Sequence, residues 1–340
     1  MKSFQLATFF ALVRIPTVFS SMSNAFAGFY IGGGNGMPLA LWAGIIAAAL
    51  FIMAGMALND LADEKVDALE RPTRPIPSGA ITLQLAWLLS LGMMTAGLII
   101  LYATNLFSFF SGLVLCLSIF AYNFLFKGTS FGPISMGLCR LFNLFTGISL
   151  TWNLGTCKNW ILTLGNYFQT KAASLGINLG ANIFEPNGPN TLPFPHPLSM
   201  HNAFAILLAL ISLWGYITLV TYLARDEVQG NSKRRLLVYQ IGLGIWFFTW
   251  AFIAFTWYRA QTYIPMAWLS LAIFLRGPLR NLIRENTPKH TGQVVGTMLR
   301  FVPLVDVLAM LTNGVEIRTA IFGALWILPA YVIGKTFYST

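Results

Sequence analysis

The stretch Asn59-Asp-Leu-Ala-Asp-Glu-Lys-Val-Asp-Ala-Leu-Glu-Arg-Pro-Thr-Arg-Pro-Ile-Pro-Ser-Gly79 follows directly on an apolar run that ends near Leu58. Asp60, Asp63, Glu64, Asp67 and Glu70 are five of the eleven acids in a chain that is 56% hydrophobic and 9% charged. Carboxylates at a membrane edge are costly unless something compensates them. Asp60, Asp63 and Asp67 stand at i, i+3 and i+7. On a helix that spacing shares one face, and one divalent cation can draw the three together.

Mean hydropathy is +0.68. With 28 Phe, 12 Met and 10 Trp in 340 residues, this excludes a soluble domain. Apolar runs long enough to cross a bilayer core recur along the chain. They lie near 9–32, 39–58, 83–103, 106–126, 131–152, 203–224, 236–257, 263–275, 294–311 and 320–337. The expected fold is therefore an all-α, multi-pass transmembrane bundle of ten spans, or nine if the short run broken by Pro265 does not cross. No cleavable leader is evident, because Arg14 and Pro16 interrupt the first run and no small-residue cleavage site follows.

Net charge +10 does not imply nucleic acid. With ten spans and a cytoplasmic N-terminus, fifteen Lys and Arg fall on the cytoplasmic side and four on the other. That is a positive-inside distribution. Four loops collect the charge on that side: 59–82, the one holding Lys127, 225–235 and 276–289. One integral membrane domain over residues 1–340 is expected, with a Pro-, Asn- and Gly-rich insertion at 153–201 on the non-cytoplasmic side. Cys116, Cys139 and Cys157 give no disulfide framework.

Behind the acids, Pro72, Pro75 and Pro77 are expected to end the helix and hold the chain extended, leaving Arg71 and Arg74 beside the acidic cluster. Guanidinium groups bind phosphate oxygens bidentately. Acids for a metal and arginines for phosphate, so close in sequence, point to a diphosphate–Mg²⁺ complex. The plain alternative is an acidic helix end neutralised by Lys65, Arg71 and Arg74.

This segment resembles the aspartate-rich motif of the UbiA superfamily of intramembrane prenyltransferases, Asn-Asp-x-x-Asp-x-x-x-Asp followed by Arg-Pro-Ile-Pro-Ser-Gly. Arg14-Ile-Pro-Thr is similar to the family's first-helix signature. Tyr122 through Lys127 is similar to its Tyr-x-x-x-x-Lys element, and Arg140, Asn143 and Gly147 resemble positions on its fifth helix. Tyr222, Arg225 and Asp226 match the start of a second aspartate motif. Gly230 stands where its last aspartate belongs, and Glu227 is the only other acid nearby. Adjacent residues diverge by about 100° on a helix, so Asp226 and Glu227 do not aim at one ion as a DxxxD pair does. The departure implies a divergent branch, such as the UbiA-like EboC proteins.

The resemblance implies Mg²⁺-dependent transfer of an isoprenyl group from its diphosphate to an acceptor within the membrane. Asp60, Asp63 and Asp67 would hold Mg²⁺, with Asp226 and Glu227 as weaker ligands. Asn59, Arg14, Arg71, Arg74, Lys127, Arg225, Tyr122 and Tyr222 would bind the diphosphate or line its site. Tyr122, Phe126 and Tyr222 are candidates to face an allylic cation. Partners are then an isoprenyl diphosphate, a small-molecule acceptor and the bilayer. The alternative is a transport or lipid-binding protein that keeps the fold without the chemistry. A membrane scaffold binding a partner through 153–201 is a third reading.

Other features weigh less. Asp306 lies in a late apolar run, where its plain role is to pair with Arg300 or backbone. His196, His201 and His290 lack metal-ligand spacing. Gly32–Gly36 reads as a turn. Lys233, Arg234 and Arg235 read as an interfacial anchor.

Overall fold

The computed structural model describes residues 6–152, 174, 200–225, 233–257, 263–285 and 287–337. Most of the 153–201 insertion lies outside them, as do Asp226 and Glu227. The regular structure among the described residues is helical, and no strand occurs among them. The helices are α1 (Leu6–Val13), α2 (Ile15–Ile31), α3 (Leu39–Ala62), α4 (Glu64–Glu70), α5 (Leu83–Thr104) and α6 (Leu106–Ala121). A π-helical turn (Tyr122–Phe126) and α7 (Gly132–Ser149) follow. Then come α8 (Met200–Ala224), α9 (Lys233–Trp257), α10 (Tyr263–Arg284), α11 (Pro288–Arg300), α12 (Val302–Thr312), α13 (Ile317–Ala324) and α14 (Ile327–Phe337).

Every apolar run of the sequence is met by helix. Five described helical stretches, taking α6 with its π-helical turn and α11 with α12 as one each, are long and apolar enough to cross a membrane, or six if the pair α1 and α2, bent by 54°, counts as one. The runs differ from expectation at their ends and breaks. The eighth does not stop at Leu275: α10 continues to Arg284 with Pro278 inside it. The basic segment expected as a loop at 276–289 is therefore mostly helix. The ninth is two helices, α11 and α12, meeting at Phe301.

α2 is the hub. It packs against α3, α7, α12 and α14. Two glycines set its closest contact. A Cβ on Gly28 would lie 2.2 Å from the Leu144 carbonyl oxygen, and one on Gly147 would lie 2.4 Å from that of Ala25. Small residues let membrane helices approach backbone to backbone. Gly28→Val is expected to force α2 and α7 apart at an overpacking cost of about 3 kcal/mol. The readout is a thermal midpoint several degrees lower in detergent. An unchanged midpoint would show that the contact is dispensable.

The bundle is pinned at both ends. At one end Thr151 Oγ1 donates to Gly32 O at 2.8 Å. At the other, Arg14 reaches Asp60 at 2.7 Å.

Candidate active site

α3 brings Asn59 and Asp60 to the second of these ends. Asp63 interrupts the helix, and α4 resumes to carry Asp67. The three aspartates are thus not on one unbroken helix. The i−4 hydrogen bonding nevertheless continues across the joint: Asp63 N–H donates to Asn59 O, Asp67 N–H to Asp63 O and Arg71 N–H to Asp67 O. The side chains stay in sequence along one edge while Asp60 and Asp67 sink to 2% and 3% exposure.

The proline segment is not extended either. It folds into consecutive turns in which Ser78 N–H donates to Arg74 O, and Ile81 N–H to Pro75 O, each at 3.0 Å. Gly79 takes φ 70, a conformation suited to glycine. Ile76 and Ile81 are buried. This folding carries Arg74 back over the acids, where it pairs with both Asp60 and Asp67.

Three cations close the cluster. Arg14 contacts Asp60 at 2.7 Å, Arg74 bridges Asp60 and Asp67, and Lys127 holds Asp63 together with Asn59 Oδ1 at 2.8 Å. Arg14 sits between α1 and α2 at φ 49, the one non-glycine residue with positive φ among those described. Such backbone costs roughly 1–3 kcal/mol and persists where its surroundings demand it. Pro16 begins α2 just beyond. Lys127 closes the π-helical turn, its N–H donating to Tyr122 O at 2.8 Å. Burial pulls its ammonium below the ordinary lysine value, and its hydrogen bond to Asp63 opposes that shift.

Sequence alone names Lys65, Arg71 and Arg74 as the neutralising cations. Of these Arg74 takes part, whereas Arg14 and Lys127 do the rest from distant points in the chain. Arg71 is exposed and turns toward a large cavity. Tyr122 is half-buried and lines the same cavity. Tyr222 packs partly buried against the core, and Arg225 is exposed at the end of α8.

The cavity has a volume of about 1350 Å³. Arg14, Asn59 and Arg71 line it at the acidic end, and Arg140 and Asn143 line it deeper in. α8 contributes Ile217 and Val220, and α11 contributes Lys289, Gln293 and Arg300. Behind its inner part lies a buried polar network that crosses three helices. Asp306 accepts from Ser23 Oγ at 2.6 Å and from Asn24 Nδ2 at 2.8 Å. Asn143 Nδ2 donates to Ser21 Oγ at 2.9 Å and to Asn24 Oδ1 at 3.2 Å. Arg140 donates to Asn24 Oδ1 at 3.4 Å. Asp306 therefore faces Arg140 through Asn24 and makes no ion pair with Arg300. The run Ser20-Ser-Met-Ser-Asn24 inside an apolar span was the signal for this network.

Among the described residues, no three His, Cys, Asp or Glu side chains form a ready metal cage. The donor chemistry still suits Mg²⁺. Asp60 and Asp67 converge on one cationic group and Asn59 and Asp63 on another. Mg²⁺ takes one or two carboxylates and completes its shell with water and phosphate. Two oxygen pairs, each already gathered around positive charge, match that demand.

Fold and site together define an integral membrane protein with an acid–arginine clamp at the mouth of an apolar-walled chamber. The UbiA prenyltransferase family profile matches residues 21–168. A digeranylgeranylglyceryl phosphate synthase of Metallosphaera sedula is 28% identical over 259 residues, covering 68% of this chain and 90% of the relative. The enzyme of the same name from Saccharolobus solfataricus is 27% identical over 263 residues, covering 68% and 91%. A solved structure of digeranylgeranylglyceryl phosphate synthase superposes with TM-score 0.56 at 15% identity, covering 92% of this chain and 99% of its own. That likeness bears on the fold. Residues 21–168 are thus similar to the UbiA prenyltransferase family, and the chain is similar over two thirds of its length to enzymes named digeranylgeranylglyceryl phosphate synthase.

Proposed function

We propose that the clamp binds the diphosphate of an isoprenyl donor with Mg²⁺, and that the chamber holds the donor's tail and an acceptor during transfer. The observation that carries this reading is the convergence of Asp60 with Asp67, and of Asn59 with Asp63, on cations at the cavity mouth. Bound there, Mg²⁺ would neutralise the diphosphate as a leaving group. Asp60, Asp63, Asp67 and Asn59 are the residues to hold it.

The protein's own groups do the remaining work. Arg14, Arg71, Arg74 and Lys127 supply hydrogen bonds to phosphate oxygens as negative charge grows on them. Tyr122 offers an aromatic face near the carbon that ionises. The apolar lining, with Phe51, Ile52, Leu115 and Ile119, excludes water that would quench an allylic cation. Tyr222 and Arg225 at the end of α8, with Asp226 and Glu227 beyond it, complete the proposed set.

Typical ligand cavities occupy about 300–1,000 Å³. The larger volume here supports simultaneous occupation by two apolar chains. The relatives' name describes a glyceryl phosphate bearing two geranylgeranyl groups. It supports geranylgeranyl diphosphate as donor and a phosphate-bearing alcohol as a compatible acceptor. The positive-inside distribution supports a clamp opening to the cytoplasm, with the whole of 1–340 as one membrane domain.

The test supplies purified protein in detergent with geranyl, farnesyl or geranylgeranyl diphosphate and Mg²⁺. Diphosphate binding that requires Mg²⁺, followed by release of inorganic diphosphate with a suitable acceptor, is expected. Absence of binding even at high Mg²⁺ overturns the proposal. Substituting a chelator for Mg²⁺ is expected to lower diphosphate release by at least about 10²-fold, the scale of losing one major electrostatic contact. Equal rates with chelator would remove the metal from the mechanism.

A further inference from the structure

Arg14, Asn59 and Arg71 join the cavity to the acidic clamp, and α11 lines it as well. Lys289, Gln293, Gly296 and Arg300 recur at i, i+4, i+7 and i+11, the spacing of one helical face. All four line the cavity. The other face of the helix fixes its orientation. Thr291, Val294 and Met298 are buried, and Tyr216 Oη donates to Met298 O at 2.9 Å. A Cβ on Gly296 would meet nothing within 4 Å, so the space before Arg300 is open.

Charge sets this wall apart. Among the described residues, the charged ones lining the cavity are Arg14, Arg71, Arg140, Lys289 and Arg300, with no acid among them. Arg14 has Asp60, and Arg140 faces Asp306 through Asn24. Lys289 and Arg300 have no side-chain ion pair or hydrogen bond among the described residues. Arg300 is half-buried inside the apolar stretch Pro288–Thr312. It lies six residues before Asp306, on the other side of the break at Phe301. An arginine at such a position without a carboxylate is costly, and an anionic ligand removes the cost.

We propose that α11 forms a second anion subsite, apart from the diphosphate clamp, in which Arg300 and Gln293 take the phosphate headgroup of an amphiphilic acceptor. Arg300 offers a bidentate fork and Gln293 an amide donor. Lys289, eleven residues earlier and about 16 Å along the axis, stands at the mouth and draws the headgroup in. Gly296 leaves room for the phosphate between them. The acceptor's apolar chain then lies beside the donor's tail, and its phosphate is kept off the metal-binding acids. The proposal rests on the donor-site reading given above.

The test uses full-length protein in detergent with Mg²⁺ and farnesyl thiolodiphosphate, an unreactive donor analogue. Donor-analogue binding is measured first. Its absence in the unmodified protein overturns the underlying donor reading and with it the subsite. Oleoyl lysophosphatidic acid and monooleoylglycerol are then titrated as a matched charged and neutral pair. The phosphate lipid is expected to bind at least tenfold more tightly. Arg300→Gln is expected to reduce that preference to less than threefold while donor-analogue affinity stays within twofold. Arg300→Lys is expected to keep most of the preference, which separates loss of charge from loss of fold. Equal binding of the two lipids overturns the subsite alone. Equal weakening of donor analogue and phosphate lipid by Arg300→Gln overturns it too, by returning Arg300 to the donor clamp. Displacement of the lipid by inorganic phosphate at the same concentration would overturn the amphiphile assignment.

Discussion

Asp60→Ala is expected to lower prenyl transfer by roughly 10³-fold or more while the protein remains folded in detergent. Asp60 is the one clamp acid that makes two ion pairs. It takes Arg14 at 2.7 Å and Arg74 at 3.4 Å and is almost fully buried at the base of the site. Without it, the Arg14 guanidinium loses its partner and the Asp60–Asp67 oxygen pair disappears. Arg14 and Arg74 retain side-chain exposures of 29% and 20%, so both can turn to water. The damage to stability is therefore expected to be small beside the damage to turnover. Diphosphate release and donor binding are the measurements, with thermal unfolding as the control. Turnover within threefold of the unmodified protein would take Asp60 out of the mechanism. Asp63→Ala is expected to act in the same direction and to free Lys127 as well.

A large effect on stability is expected at the buried polar network around Asp306. Asp306→Leu leaves Arg140, 7% exposed, facing no carboxylate, and also strips Ser23 and Asn24 of their acceptor. Removing one member of a buried charge pair costs about 3–5 kcal/mol. Because Arg140 meets Asp306 through Asn24 and borders the cavity, the lower end, about 3 kcal/mol, is expected here. The double variant Arg140→Met, Asp306→Leu is expected to recover much of that loss, since neither charge is then left alone. Thermal midpoints of the two single variants and the double give the coupling directly. Additive losses would show that the two residues do not interact.

Much of the architecture was legible in sequence because membrane spans are written in long apolar runs, and α3, α5 and α6 appear where those runs stand. The breaks were less legible. The helix ends between Val13 and Ile15 because Arg14 adopts a left-handed conformation to meet Asp60, a contact 46 positions away. Local propensity carries no sign of it. The prolines behind the acids suggested an extended chain, yet buried Ile76 and Ile81 anchor a set of turns instead. Here tertiary burial overrode the local preference.

The site divides in the same way. Asp60, Asp63, Asp67 and Arg74 stand out by spacing and charge and Lys127 by the family resemblance, and the structure gathers them. Which cation meets which acid was not written in the spacing, since Lys127 arrives from another helix. Asp306 drew notice as an intramembrane acid, but its partners lie more than 280 positions earlier in the chain. Only the packing of α12 on α2 brings them together.

The pairing of every clamp aspartate with an arginine or lysine has a consequence for how a ligand enters. The clamp at rest is already neutral, each charge satisfied by its neighbour. A metal ion arriving alone would have to displace arginine and lysine side chains, leaving them without partners. A diphosphate arriving alone would likewise strand the aspartates. The two together exchange partners with the clamp, cation for cation and anion for anion, and leave no group bare. Each ligand therefore strengthens the other's hold, and by the reciprocity of linkage the gain is the same in either order.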